Sequence, residues 1–118
     1  MAITVYGINN CDTVKKARRW LEKAGVDYRF HDLRKDGLVP ETLDNWLHRS
    51  DWETLLNRRS TTWKNLSDKE RDQLDSSRAR QLMLANPTLI KRPVTVTQDA
   101  FMIGFSEAEY RQAFTPRG

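Results

Sequence analysis

Residues 2–8, AITVYGI, form an apolar run rich in β-branched and aromatic side chains, with the length and composition of a strand covered on both faces. From Thr13 the period changes. Val14, Ala17, Leu21 and Ala24 recur at three- and four-residue steps, while Lys15, Lys16, Arg18, Arg19, Glu22 and Lys23 fill the opposite side, which predicts an amphipathic helix. Gly25 supplies a left-handed stop, and VDYRFHD then alternates Val26, Tyr28 and Phe30 with Asp27, Arg29 and His31 as a second strand. Strand, helix and strand within about thirty residues make a βαβ unit, with parallel strands and a right-handed crossover.

Residues 36–87 lose this alternation and are punctuated by helix starts. Pro40 and Glu41 suit a first turn ahead of the stripe Leu43, Trp46 and Leu47, and Asp51 suits the cap of a short helix, WETLLN. Ser67 with Glu70 has capping-box spacing, and Ser76 or Ser77 can start a last helix through Leu82, Met83 and Ala85 that Asn86-Pro87 ends. After Pro93, two short β-rich runs flank Gln98-Asp99 as a hairpin, although that pair is a weak turn signal. Ser106 with Glu109 opens a final helix carrying Ala108, Tyr110 and Phe114, and residues 115–118 read as a loose tail. The order is βαβ, helical insertion, ββα: an α/β chain.

At 118 residues and 38% hydrophobic content the chain suits one domain, residues 1–118, able to bury a core without disulfide staples. Twenty Lys and Arg against sixteen Asp and Glu give a net charge of +4, but the cations are spread among acids rather than gathered in a stripe over the chain, which argues against direct nucleic-acid binding. A single cysteine excludes an internal disulfide and a paired-cysteine zinc site, and it suits a reducing compartment. Residues 1–8 lack the features of a signal peptide, and no window has the apolar length to cross a bilayer. A cytoplasmic monomer without a metal or bound cofactor is expected. His31 and His48 have no second ligand at metal spacing, and Trp20, Trp46, Trp52 and Trp63 sit in helical patterns that favour core roles over base stacking.

That one thiol, Cys11, stands where the first strand feeds the first helix. Free cysteines often serve as small buried hydrophobes. Here the flanks Asn9, Asn10, Asp12 and Thr13 are polar turn formers, so the thiol is expected to meet solvent, with Asp12 or Thr13 as helix cap. A thiolate at a helix N-terminus is stabilised by the unpaired amides and the positive end of the helix dipole, and Lys15 and Lys16 add to that field while Asp12 opposes it. The candidate chemistry is a reactive nucleophile. A lone thiolate that attacks a disulfide ends as a mixed disulfide, which an outside thiol must resolve.

The ordered set GINNCDTVKKARRWL, DYRFHDLRKDG, LLNRRSTTWKNL, LIKRPV and MIGFSEAEY resembles the ArsC/Spx family, and within it the YffB-type branch, over nearly the whole chain. The resemblance implies a thioredoxin-like fold with a mixed four-stranded sheet, Cys11 as the redox-active residue, and Arg92 before a cis Pro93 near the thiol. Three departures separate the family's functions. Spx regulators, which bind RNA polymerase, carry a Cys-x-x-Cys switch, but the second position here is Val14. Glutaredoxin-coupled arsenate reductases hold the oxyanion with arginines. Arg92 matches one, Asn57 falls at another with Arg58 and Arg59 just after it, and GFSEAEY offers none at the third.

The expected function is therefore a glutathione-dependent thiol-disulfide oxidoreductase with Cys11 as nucleophile. Asn10, Asp12, Thr13, Lys15, Arg59, Arg92 and Pro93 are the candidate substrate-binding residues. Arginine offers the paired contacts that the carboxylates of glutathione favour, with Ser60, Thr61 and Thr62 as further donors. Glutathione would be a co-substrate and glutaredoxin a candidate partner. The alternatives are an arsenate reductase-like enzyme and an Spx-like adaptor that binds RNA polymerase on basic helix faces.

Overall fold

The computed structural model describes residues 2–114, so the expected tail at 115–118 lies outside the described residues. Contacts group the chain into two compact units, residues 1–36 with 92–118, and Gly37–Lys91.

The first unit is built on β1 (Thr4–Gly7), α1 (Asp12–Lys23), β2 (Arg29–Asp32), β3 (Val94–Val96), β4 (Phe101–Ile103) and α7 (Glu107–Phe114). The sheet order is β2-β1-β3-β4. β1 and β2 are parallel, while β3 runs antiparallel to both β1 and β4, giving the mixed sheet of the thioredoxin-like fold. The expectation of a first strand covered on both faces is corrected. Val5 and Gly7 are buried, but Thr4 and Tyr6 are only half-buried, and Tyr6 instead lays its ring 4.9 Å from that of His31 on β2. Composition could not separate the two faces because Tyr and Thr suit strands whether covered or not.

α1 buries Val14, Ala17 and Leu21 as its period predicts, whereas Ala24 is its exposed C-cap, one residue before Gly25 at φ 70°. The core joins Ile3, Val5, Ala17, Leu21, Met102, Tyr110 and Phe114. Tyr110 is its hub. Trp20, Phe105 and Phe114 meet its ring edge-on at 5.6, 4.8 and 5.4 Å, and its hydroxyl pairs with that of buried Thr95 at 2.5 Å. Burial pushes the Tyr110 phenol above its ordinary value, against the opposing pull of that hydrogen bond. Ala108, expected on this stripe, is exposed. The weak Gln98-Asp99 turn is closed by buried Thr97, whose hydroxyl accepts from the amides of Asp99 at 3.1 Å and Ala100 at 2.8 Å.

The second unit, Gly37–Lys91, is mainly helical. It holds α2 (Pro40–Arg49), α3 (Trp52–Leu55), α4 (Thr61–Asn65), α5 (Asp68–Arg71), α6 (Ser76–Ala85), a 3-10 turn at Pro87–Leu89, and an antiparallel bridge from Leu56 to Ile90. Pro40 opens α2, Asp51 caps α3 through the Thr54 amide at 2.8 Å, and Ser67 and Glu70 close a capping box on α5. α6 starts at Ser76 as expected, and its cap is Asp75, which accepts from the Arg78 amide at 2.8 Å. Arg80 grips Asp44 with two bonds of 2.6 and 3.2 Å, joining α6 to α2 and holding the Asp44 carboxyl below its ordinary value. Trp46 is fully buried, whereas Trp52 and Trp63 keep partial exposure.

Candidate active site

β1 delivers the chain into a turn in which the Cys11 amide donates to the Ile8 carbonyl at 3.2 Å. Cys11 is itself the N-cap of α1, with extended φ −103° and ψ 123°, and its carbonyl accepts the first intrahelical bond from the Lys15 amide at 3.0 Å. The expectation that Asp12 or Thr13 caps the helix is thus corrected: both are already helical. No side chain caps α1, so the first-turn amides keep no protein acceptor from the cap position. The thiol is half-buried, while Asn10, Asp12, Thr13 and Lys15 around it are exposed.

Gly7 is what lets this helix start so close to the strand. A Cβ at Gly7 would stand 2.8 Å from Val14 Cγ2 and 3.0 Å from Cγ1. The other wall of this end of the sheet is β3. Its register with β1 pairs Tyr6 with Val94, and one residue further sets Pro93 opposite Gly7. The Arg92–Pro93 bond is cis, as the family resemblance implied, Pro93 is buried, and its carbonyl accepts from the Gly104 amide at 2.8 Å. Arg92 is half-buried. Cys11, Asn10, Asp12, Thr13 and Lys15 therefore share the end of the first unit at which Arg92 and Pro93 enter β3.

Arg59 belongs to the second unit, where its side chain is exposed and its amide donates to Asn57 Oδ1 at 3.1 Å. Arg58 lies over Trp63 with its guanidinium carbon 5.6 Å from the ring centroid. Two of the expected hydroxyl donors are already occupied. Ser60 caps α4 through the Trp63 amide at 3.1 Å while donating to the Asn57 carbonyl at 2.8 Å, and Thr62 pairs with the Thr88 hydroxyl at 2.5 Å.

Arg18 was not singled out in the sequence, yet it braces the thiol turn. Its guanidinium lies 4.1 Å from the Phe30 ring centroid, its Nε donates to the Tyr28 hydroxyl at 2.9 Å, and Nη1 donates to Asn9 Oδ1 at 3.3 Å. Only its spacing on the helix edge hinted at this; its partners lie nine to twelve residues away. Among the described residues no group of three or more metal-ligating side chains stands together, and no helix is long and apolar enough to cross a membrane.

The architecture has known counterparts. The sequence model of the ArsC family matches residues 6–113. The solved structure of a YffB protein is 41% identical, with a TM-score of 0.90 over 94% of this chain and 97% of that one. A solution structure of an arsenate reductase (ArsC) related protein from Brucella melitensis is 50% identical, covering 98% of this chain and 97% of its own at a TM-score of 0.77. The global transcriptional regulator Spx of Streptococcus agalactiae is 32% identical over 117 residues, 98% of this chain and 84% of the regulator. With a family match over most of its length and these relatives aligned nearly end to end, the chain belongs to the ArsC family.

Proposed function

We propose that this protein is a glutathione-dependent thiol-disulfide oxidoreductase with Cys11 as its nucleophile. One observation carries the reading: the only thiol in the chain is a half-exposed helix N-cap that makes no cap bond of its own. Helix N-terminal amides favour an anion at that point. The Cys11 thiolate attacks one sulfur of a substrate disulfide, a Cys11–substrate S–S bond forms, and the second substrate sulfur leaves as a thiolate that takes a proton from water. No second cysteine exists to resolve the intermediate, so glutathione does. One glutathione displaces the reduced substrate and remains on Cys11; a second releases glutathione disulfide and restores the thiolate. Two glutathiones supply the two electrons. Arg92 and Lys15 provide cationic contacts for the glutathione carboxylates, with Asn10 and Thr13 as polar neighbours.

Incubation with oxidised glutathione followed by intact-mass spectrometry tests this. A single glutathione adduct that forms fast and is absent in Cys11→Ser is expected; a thiol that reacts no faster than free cysteine overturns it. The similarity to an arsenate reductase-related protein makes arsenate the second candidate substrate, and turnover with arsenate, glutathione and glutaredoxin decides between them. The similarity to Spx supports a non-catalytic reading as an adaptor for RNA polymerase, in which Cys11→Ser would leave polymerase binding intact.

A further inference from the structure

The charges of α1 are sorted by face. On the β2 side, Arg18 is held by Tyr28, Phe30 and Asn9, and Glu22 accepts from the Tyr28 hydroxyl at 3.0 Å. On the side opposite buried Val14, Ala17 and Leu21, helical geometry gathers Lys15, Lys16, Arg19 and Lys23 into a sector of about 100° that runs for about 12 Å along the axis. All four side chains are exposed, and none takes part in an ion pair among the described residues. The one acid of this sector is Asp12, at its N-terminal end. Glu22, which at i,i+3 could have neutralised Arg19, is turned to Tyr28 instead. Lys15 with Arg19, and Arg19 with Lys23, are like charges at i,i+4, a spacing that weakens a helix. Beyond Asp12 the stripe has no acid of its own, and it begins one turn from Cys11.

We propose that this stripe docks an acidic segment of a disulfide-bearing protein beside Cys11. The inference rests on the oxidoreductase reading and names the class of its substrate. Charge complementarity requires an anionic partner, and the adjacent thiol requires one that carries sulfur, which excludes a nucleic acid as the reacting species. The short reach of the stripe fits one acidic helix turn or loop next to the target disulfide. Attack by Cys11 breaks that disulfide and forms the mixed disulfide, which two glutathiones then resolve as above. Charges at the rim of such a surface act mainly on the encounter rate and on its dependence on salt.

Two synthetic peptides of equal length provide the probe. Each carries a central cysteine capped as its 2-thiopyridyl disulfide, flanked by glutamates in one and by glutamines in the other. Release of thiopyridone, followed by stopped flow, reports attack by Cys11. The glutamate peptide is expected to react at least about tenfold faster than the glutamine peptide at low salt. That ratio should fall toward one from about 0.01 M to about 1 M salt, as the Debye length shrinks from about 30 Å to about 3 Å. In the Lys16→Gln, Arg19→Gln, Lys23→Gln triple variant the ratio should be near one at every salt concentration. Equal rates in the wild-type protein, or a preference that survives in the triple variant, overturn the proposal. So does a preference for a duplex oligonucleotide over the glutamate peptide in competition. If neither peptide reacts faster than with free cysteine, the oxidoreductase reading itself has failed, an outcome distinct from equal but fast rates.

Discussion

Replacing Gly7 by Ala tests the contact that brings the thiol helix against its strand. The new Cβ would meet Val14 Cγ2 at 2.8 Å and Cγ1 at 3.0 Å, with Phe30 Cε1 at 3.5 Å. Val14 cannot swing aside, because a β-branched side chain in a helix keeps essentially one χ1 rotamer, and this one is fully buried. The strand is equally constrained, since the Gly7 carbonyl accepts from the Leu33 amide at 2.8 Å. Overpacking of this kind costs about 1–3 kcal/mol. Stiffening the unfolded chain returns about 0.4–1 kcal/mol. The net expectation is a loss of about 1–2 kcal/mol in urea unfolding followed by circular dichroism. Val14→Ala removes both obstructing methyls, so in that background Gly7→Ala should be close to neutral, and the double-mutant cycle should show a coupling of about 1–2 kcal/mol. The same shift would displace the start of α1, and the alkylation rate of Cys11 should change in Gly7→Ala and recover in the double variant. If Gly7→Ala is neutral or stabilising on its own, the close approach does not position this helix and the reasoning fails.

Tyr110→Phe should cost about 1–3 kcal/mol in denaturant unfolding, because it leaves the buried Thr95 hydroxyl without its partner while preserving the aromatic packing; a neutral result would refute that role. Arg80 lowers the Asp44 carboxyl in the folded state, so the pair's contribution is present above the unfolded value of about 3.9 and fades as pH falls through the lower folded value. Carboxyl titration by NMR should therefore give Asp44 a low midpoint that returns to the ordinary range in Arg80→Gln. Cys11→Ser should abolish glutathione adducts and also stabilise the protein by up to about 1 kcal/mol in urea unfolding, since Ser can accept from the free first-turn amides that the thiol leaves uncapped; Cys11→Ala should give no such gain.

Much of the frame was legible because its signals are local. The three- and four-residue steps from Val14 to Leu21, Pro40 at a first turn, the Asp51 cap and the Ser67–Glu70 box each involve residues within one or two turns, and each stands where the pattern put it. The start of α6 at Ser76 was legible only to within a residue because Asp75, Ser76 and Ser77 are all competent caps, and only the burial of Ala79 and Met83 fixes the helix phase. The hairpin turn looked weak since the stabilising group is the Thr97 side chain rather than either tip residue. In the candidate site, the position of Cys11 between the first strand and the first helix could be read directly. The approach of Pro93 to Gly7 depends on strand register, and the bracing of Asn9 by Arg18 depends on how α1 lies on β2; neither leaves a trace in local sequence.

Departures from local preference in the first unit gather around one helix. A strand position is given to Gly7, which weakens a strand unless a close approach requires it. The N-cap of α1, a position that Ser, Thr, Asp or Asn would fill with a hydrogen bond, is given to a cysteine that makes none. Four exposed cations on the same helix make no ion pair among the described residues, although Glu22 stands within a turn of two of them. The glycine is required by the close approach of Val14, but the missing cap and the unpaired cations each lower the stability of α1, and stability alone gives no reason to combine them. The proposed oxidoreductase reading gives one: the glycine brings the helix start against the sheet, the missing cap would leave amides free to face a thiolate, and the stripe would add a positive field beside it. Local rules broken together at one place are expected where a fold has been shaped for chemistry, and on the proposed reading that place is Cys11.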